Sequence, residues 1–254
     1  MTIYCYHSVD PDWPSPLAVS PAEFEVQCAW IAERTTVLPL TTAVERLDSS
    51  GRLPAGSAAI TFDDGYAGCL THALPVLQRH RLTATVFLVA QTLTPEGRAI
   101  DWAGTPPPGG TLSVEDVRAM QAAGIDFGSH SFAHHDLTTL TEQECVDDLR
   151  RSREILEDVL RRHVPFLAYP GGAHNAMVRR AAERAGYTHA FTLPDAPETP
   201  GDFAIPRVGI YPGNGPAALW LKSTRWYPRV RTSTAFPAIR ALGRSVSRLA
   251  PRRG

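Results

Sequence analysis

The sequence lacks the segments that send a protein to or through a membrane. Its 254 residues begin on a strand-like pattern, with no basic leader, no long apolar stretch and no small-residue cleavage site. No uninterrupted apolar run approaches the roughly 20 residues that a helix needs to cross a bilayer. These absences predict a cytoplasmic protein whose chain does not span a membrane.

Cysteine is scarce and scattered. Cys5, Cys28, Cys69 and Cys145 form no Cys-x-x-Cys pair, so neither a zinc knuckle nor a dithiol redox motif is indicated. A chain of this length does not need cross-links for stability, and we expect four reduced thiols. Ordinary fractions of hydrophobic (43%) and charged (20%) residues, with no internal repeat, predict one globular domain.

Acidic residues are absent from residues 222–254, which hold nine of the 25 basic residues. The formal net charge of −1 therefore conceals an acidic domain, residues 1–221, and a basic tail, residues 222–254. Apolar residues recur at helix-like spacing in this tail, at Phe236, Ile239, Leu242, Val246 and Leu249. Either the tail lies on an anionic membrane surface, at the inner face of the membrane, or it forms a helix that docks on the acidic domain. Nucleic acid is not an expected partner, because no motif that interleaves aromatic and basic residues accompanies the charge.

Short apolar runs alternate with amphipathic segments along the chain. The runs predict strands at residues 3–6, 36–38, 58–62, 83–89, 126–129, 166–169, 189–193 and 207–210. The segments between them predict helices at residues 21–34, 41–47, 70–80, 114–123, 142–162 and 176–185. Ser20 and Ser113 are expected as N-caps. Such alternation is typical of parallel βαβ units and predicts an α/β barrel or a related closed sheet, in which sites form at the carboxyl ends of the strands.

Two polar motifs follow predicted strands. The sequence Thr-Phe-Asp-Asp-Gly at residues 61–65 places Asp63 and Asp64 after one strand, and His130 and His134 follow another. Two imidazoles and one carboxylate form an open ligand set for a catalytic divalent metal ion, and zinc fits this set best. The other carboxylate is then free to take a proton from the attacking water. Either motif alone is more often structural, but their shared position at strand ends favours a metal site.

With these motifs the chain resembles the polysaccharide deacetylase family, the NodB homology domains of carbohydrate esterase family 4. Residues 61–65 and 130–134 match two signatures of that family, and similarity extends over residues 6–9, 20–24, 137–141, 169–172 and 185–187. The resemblance implies a distorted (β/α) barrel that hydrolyses the N-acetyl amide of an amino sugar. It implies that Asp63 is the general base and that Asp64, His130 and His134 bind the metal.

The same resemblance assigns the oxyanion and substrate site to Tyr169, Pro170 and Gly171, with the backbone N–H of Gly171 as the oxyanion donor. A proline- and glycine-rich loop at residues 91–110 is expected on the same side, where it would shape the substrate groove. Trp102 in this loop either stacks on a sugar ring or packs locally.

Two positions depart from the family pattern. Ala168 stands where many relatives carry an arginine that orients the base, and residues 205–210 lack the late Leu-x-His motif that supplies a general acid. The Tyr-His motif at residues 6–7 resembles instead a subgroup related to poly-N-acetylglucosamine deacetylases. That likeness implies that His7 protonates the departing amine and that Arg207 replaces the missing arginine. The alternative for His7 is a structural core histidine, and the alternative for Arg207 is a surface ion pair.

The expected substrate is an N-acetylated sugar in a glycan, a lipid-linked sugar or a glycosylated metabolite. One alternative is a related metal-dependent hydrolase of a non-sugar C–N bond, an amide or an imide, because the fold and the metal site do not fix the leaving group. Another is a non-catalytic carbohydrate-binding module. Asp63 argues against the binding module, since binding alone needs no base.

Overall fold

The computed structural model describes residues 1–51, 54–194, 197–224 and 226–234. The strands are β1 (Thr2–Tyr6), β2 (Ser8–Val9), β3 (Ala18–Val19), β4 (Thr36–Val37), β5 (Ser57–Phe62), β6 (Thr85–Leu88), β7 (Asp126–Ser129), β8 (Phe166–Ala168), β9 (His189–Thr192), β10 (Ile205–Pro206) and β11 (Val208–Gly209). The helices are α1 (Pro21–Arg34), α2 (Leu40–Ser50), α3 (Leu74–Arg79), α4 (Val114–Ala122), α5 (Glu142–Leu160), α6 (Ala176–Arg184), α7 (Pro216–Ser223) and α8 (Tyr227–Arg231).

Nine of the described strands form one sheet, in the order β10-β9-β8-β7-β6-β5-β1-β11, and β4 pairs with β5 beside this path. All the pairings are parallel, as the βαβ alternation predicts. The strands β2 and β3 form a separate two-stranded sheet that the sequence did not predict.

The two ends of the nine-stranded sheet are joined by consecutive residues of the chain. Ile205 of β10 pairs with Phe191 of β9, and Val208 of β11 pairs with Tyr4 of β1. Arg207 alone separates β10 from β11, so the segment at residues 205–209 closes the sheet into a barrel. The prediction of a single strand at residues 207–210 was wrong in this respect, because the strand starts earlier and changes its partner at Arg207.

Alternating side chains of the strands fill the inside of the barrel, as expected for a pleated strand. This inner cluster holds Ile3, Ala59, Phe87, Phe166, Ala168, Phe191 and Ile205, together with Leu40 and Val44 of α2. The intervening residues, such as Tyr4 and Ile60, pack outward in a second cluster that includes helix residues such as Phe24 and Leu149. Both faces of the sheet are therefore buried, which explains why its strands are continuous apolar runs.

Local capping fixes where several helices begin. Ser20 accepts a hydrogen bond from the backbone N–H of Glu23, and Ser113 accepts one from Asp116, so both predicted N-caps are confirmed. Each such cap is worth about 1 kcal/mol. The predicted helix at residues 70–80 is a π-helical turn followed by α3, because Pro75 has no N–H to donate and is accommodated in the first turn of a new helix.

The part of the basic tail that the structure describes packs against the barrel. The helix α7 runs across the predicted boundary between residues 221 and 222, and Leu219 on it is buried. Farther along, the backbone N–H of Glu198 donates to the carbonyl of Thr232 at 3.1 Å. The amphipathic segment that begins at Phe236 lies outside the described residues. Among the described residues, no helix has the length and apolar character that crossing a membrane requires.

Candidate functional site

Strand register brings the two sequence motifs to one end of the barrel. Tyr6 pairs with Phe62, and the N–H of Asp63 donates to the Tyr6 carbonyl, so His7 and Asp63 emerge side by side. Across the neighbouring strands, the N–H of His130 donates to the Leu88 carbonyl at 2.8 Å. A cavity of about 160 Å³ opens at this end, lined by His7, Leu17, Asp63, Asp64, Trp102, His130, His134, Gly171, Gly172 and Leu193.

Asp64, His130 and His134 form a cluster of metal-binding groups. One ligand atom from each lies within 4.8 Å of the other two. The Asp64 Oδ1 atom is 3.2 Å from His134 Nε2 and 3.5 Å from His130 Nε2. Because Asp64 and His130 are buried and His134 borders the cavity, a bound ion would face the opening while its ligands were shielded from solvent.

His130 has the second interaction that is typical of a metal ligand. Its Nδ1 atom is 2.8 Å from the carbonyl oxygen of Ala168, which can only accept, so Nδ1 carries the proton. The Nε2 atom is then left with a free lone pair, directed toward Asp64. Burial lowers the pKa of His130 from 6.5 to about 4, so the imidazole is neutral at pH 7 as metal binding requires. These observations show that the residues present fit a divalent metal ion.

The backbone of this cluster is held in unusual conformations. Asp64, Ser131 and His134 have φ angles of 69°, 67° and 57°, in the left-handed region that non-glycine residues avoid. Each such residue costs on the order of 1–3 kcal/mol and persists only when its surroundings fix it. His134 is held by a hydrogen bond from its N–H to the Ser131 hydroxyl. Strain concentrated on two proposed ligands is characteristic of a functional site.

Asp63 faces a different partner. Arg207 donates from both terminal nitrogens to the two carboxylate oxygens of Asp63, at 2.6 and 2.7 Å. Arg207 is only 2% exposed, lies over the ring of Phe87 and also donates to the Thr61 hydroxyl. The surface ion pair considered for Arg207 is therefore ruled out. The structure instead places a buried, bidentate pair at the barrel closure.

The surroundings of Asp63 keep it ionised. Burial by itself raises the pKa of this carboxyl, but the Arg207 guanidinium reverses the effect and holds the pKa well below its usual range. Cys5 donates its S–H to Asp63 Oδ2 at 3.3 Å, and burial raises the pKa of the Cys5 thiol well above its usual value. Cys5 is therefore a neutral donor. All four cysteines are buried and have free thiols. Nothing in the sequence indicated that Cys5 contacts Asp63.

His7 lines the same cavity as the metal-binding cluster. One of its ring nitrogens is within 4.8 Å of an Asp63 carboxylate oxygen. Its Nδ1 atom is buried and has no hydrogen-bond partner among the described residues. A structural core histidine would have its ring nitrogens satisfied, so this arrangement favours a group that meets a ligand.

The turn after β8 presents backbone rather than side chains to the cavity. Gly171 and Gly172 line it with φ angles of 60° and 72°. A Cβ atom on Gly172 would lie 2.8 Å from the backbone of Leu193, so this position excludes larger residues. Tyr169 and Pro170 are buried, and the Tyr169 hydroxyl donates to the carbonyl of Phe203. Of the three residues assigned to the substrate, only Gly171 borders the cavity, whereas the side chains of Tyr169 and Pro170 support the turn from the core.

Comparison with known families identifies this arrangement. Residues 50–190 match the profile of the family described as Polysaccharide deacetylase. The chain belongs to the polysaccharide deacetylase family. It is 26% identical over 217 residues to the Bacillus subtilis protein YxkH, covering 84% of this chain and 72% of that protein. It is 24% identical over 205 residues to a poly-beta-1,6-N-acetyl-D-glucosamine N-deacetylase of Staphylococcus aureus, covering 76% of this chain and 68% of the relative.

Solved structures share the barrel. The Streptococcus pyogenes deacetylase PplD superimposes with a TM-score of 0.75 at 24% identity, over 88% of this chain and 98% of PplD. IcaB from Ammonifex degensii superimposes with a TM-score of 0.72 at 24% identity, over 87% of this chain and 97% of IcaB. These similarities confirm the predicted distorted (β/α) barrel of the NodB type.

Proposed function

We propose that the protein is a metal-dependent N-deacetylase that hydrolyses the N-acetyl group of an amino sugar. The observation that carries the proposal is the division of the adjacent carboxylates. Asp63 is fixed by Arg207, while Asp64 faces His130 and His134, and both carboxylates border one cavity. The Staphylococcus aureus relative, named for N-deacetylation of a glucosamine polymer, supports the choice of an N-acetylated sugar as the substrate.

Asp64, His130 and His134 would hold the metal, and two imidazoles with one carboxylate suit zinc best. When bound there, a divalent ion would polarise the acetyl carbonyl and lower the pKa of water in the cavity. Three other side chains take part in the proposed reaction. Asp63 and His7 exchange protons, and Arg207 orients Asp63.

Asp63 is suited to accept the proton of the attacking water. Its ionised state is secured by Arg207, and the bidentate contact leaves each carboxylate oxygen with further lone-pair capacity. A carboxylate with so low a pKa is a weak base in bulk water. It accepts a proton efficiently only from water of raised acidity, which explains why the base stands directly beside the metal-binding cluster.

His7 and Gly171 would complete the reaction. The His7 ring borders the cavity close to Asp63, where a protonated imidazole could transfer its proton to the departing amine. The turn at Gly171 brings backbone to the same cavity, and its N–H would stabilise the negative charge on the acetyl oxygen. The assignment of both roles follows the resemblance and is supported by their position.

The direct test is acetate release by the purified protein, with its metal content quantified, from a panel of N-acetylated mono- and oligosaccharides. The wild type should release acetate, and Asp63→Asn should lose roughly 10²–10⁴-fold in turnover while still binding metal. Full turnover by Asp63→Asn would exclude Asp63 as the base. Metal binding without acetate from any sugar would favour a hydrolase of another C–N bond, and sugar binding without turnover would favour a binding module.

We also propose that the basic end of the chain brings the enzyme to the cytoplasmic face of an anionic membrane. Trp220 is 63% exposed, Trp226 is 49% exposed and Leu221 is 40% exposed. Arg229, which is also exposed, follows Trp226 by three residues in the sequence. Tryptophan beside basic residues is a typical composition for the membrane interface. A lipid-linked sugar or a nascent glycan at that surface would then be the substrate.

Co-sedimentation with phosphatidylglycerol vesicles tests this contact. The vesicles should bind more of the wild type than of a Trp220→Ser/Trp226→Ser variant, and equal binding would contradict the contact.

A further inference from the structure

Trp102 contacts two of the three proposed metal ligands at once. Its indole N–H donates to Asp64 Oδ1 at 3.2 Å. Its ring stacks on His134, with ring centroids 4.6 Å apart and planes inclined by 17°. The third ligand, His130, is fixed independently by the Ala168 carbonyl. The loop at residues 91–110 therefore supports Asp64 and His134, as the neighbouring strand β8 supports His130.

We propose that Trp102 is a positioning residue of the metal centre, and that metal binding is coupled to the placement of residues 94–110. This inference rests on the proposed function only in that the cluster of Asp64, His130 and His134 binds a metal ion. It assigns to the loop a role in the affinity for the metal, in addition to shaping a substrate groove.

The two ligands that Trp102 touches are the two that need support. Asp64 and His134 both have left-handed backbone conformations, whereas His130 does not. A strained residue relaxes unless its neighbours hold it. The indole N–H fixes the orientation of the Asp64 carboxylate, and the stacked ring limits rotation of the His134 imidazole. Ligands already oriented in this way lose less conformational freedom when the metal binds.

The loop is fastened to the turn that carries His134. The Arg98 guanidinium lies 5.8 Å from the centroid of the Trp102 ring, and Arg98 Nε donates to the carbonyl of Ala133 at 3.3 Å. Farther along, the indole N–H of Trp13 donates to the carbonyl of Thr105 at 3.0 Å. Movement of the loop would therefore disturb His134 through its backbone and through its ring. Binding of a metal at His134 and Asp64 should, in turn, hold the loop in place.

The test compares Trp102→Phe, which keeps an aromatic ring but removes the N–H, with Trp102→Ala, which removes both contacts. Trp30→Phe, on α1 and outside the residues that line the cavity, is the matched control. Zinc affinity is measured by competition with a chromophoric chelator. Loss of a residue that orients metal ligands typically weakens metal binding roughly 10- to 100-fold. We expect a loss of zinc affinity near the lower value for Trp102→Phe and near the higher value for Trp102→Ala, with Trp30→Phe equal to the wild type.

Backbone hydrogen exchange of residues 94–110 tests the coupling directly. Saturating zinc should slow exchange of this loop in the wild type and in Trp30→Phe, and should slow it much less in Trp102→Ala. Thermal unfolding of the metal-free variants shows whether the fold is intact. With excess zinc the turnover of Trp102→Phe should recover, since only its affinity for the metal is impaired.

Wild-type zinc affinity in both Trp102 variants would overturn the inference. A raised KM for the sugar with unchanged zinc affinity would likewise overturn it and make Trp102 a substrate-binding residue. If the wild type binds zinc but releases no acetate, a weaker zinc affinity in Trp102→Phe still supports the inference while the proposed function fails. If the wild type binds no zinc, both fail.

Discussion

Arg207 donates hydrogen bonds to both carboxylate oxygens of Asp63, at distances of 2.6 and 2.7 Å. Arg207 is also the residue between β10 and β11 at which the barrel closes. The pair joins the last strand segment of the sheet to a position 144 residues earlier in the chain. One contact thus serves the closure of the barrel and the charge state of the proposed base.

Removal of Arg207 should affect stability and pH dependence together. Arg207→Ala leaves Asp63 buried without its cation, and breaking one partner of a buried pair costs about 3–5 kcal/mol in the free energy of unfolding. Urea unfolding measures this loss. The matched control is Arg34→Ala, which breaks an exposed pair with Glu33 and should cost at most about 1 kcal/mol.

The same variant should move the acid limb of the activity profile. Without Arg207 the pKa of Asp63 rises, so the base becomes protonated, and activity falls, at a higher pH than in the wild type. The measurement is kcat/KM against pH for protein with matched metal content. An unshifted acid limb would mean that Arg207 does not control the ionisation of Asp63.

His7 is tested by the choice of leaving group. A general acid matters for an amine, which must be protonated as it departs, and matters little for a phenolate. We expect His7→Asn to lose roughly 10²–10⁴-fold in kcat on an N-acetyl sugar, but far less on 4-nitrophenyl acetate. Equal losses on both substrates would assign His7 to positioning or binding, and unchanged kcat on the amide would remove it from the mechanism.

His130 should make the metal-free protein sensitive to mild acid. Its pKa is about 4 in the folded state and near 6.5 in the unfolded state, so between these values the unfolded chain binds the additional proton. Stability should therefore fall as pH drops from about 6.5 to about 4, by on the order of 1–3 kcal/mol. Urea unfolding across this window should show a flatter dependence for His130→Asn. An equally steep dependence in that variant would contradict the assignment.

The two glycines of the turn after β8 should differ in their tolerance of a methyl group. A Cβ atom at Gly171 meets no atom within 4 Å, so Gly171→Ala has only the left-handed backbone against it, about 1–2 kcal/mol. Gly172→Ala also forces a contact with the Leu193 backbone, and should lose more stability. Denaturant midpoints compare the two variants, and equal losses would show that the turn adjusts its backbone.

Sequence motifs were sufficient to locate four side chains of the site. Asp63 and Asp64 directly follow β5, His130 directly follows β7, and His134 lies four residues after His130. In a parallel barrel the carboxyl ends of all the strands share one face. Their convergence is therefore a consequence of strand order and register. The alternation of apolar runs with amphipathic segments likewise predicted most strands and helices, because both faces of the sheet are buried and the helices are amphipathic.

Contacts formed by loops and by the closure of the barrel could not be predicted in this way. Trp102 lies in an aperiodic loop, and nothing in its neighbourhood along the chain indicates that it meets Asp64 and His134. Cys5 appeared only as an isolated thiol, yet it donates to the Asp63 carboxylate. The strands β2 and β3 have two residues each, too few to show a period of two.

The sequence by itself determined the fold class, the strand ends that carry the polar groups and the residue types available for metal binding and proton transfer. These follow from local patterns of apolar and polar residues. Only the tertiary structure decided that Arg207 is buried against Asp63, that His7 has an unpartnered ring nitrogen at the same cavity, and that Trp102 braces two strained ligands. Such contacts depend on the closing of the barrel and the path of a long loop, which bring together side chains that no local pattern relates.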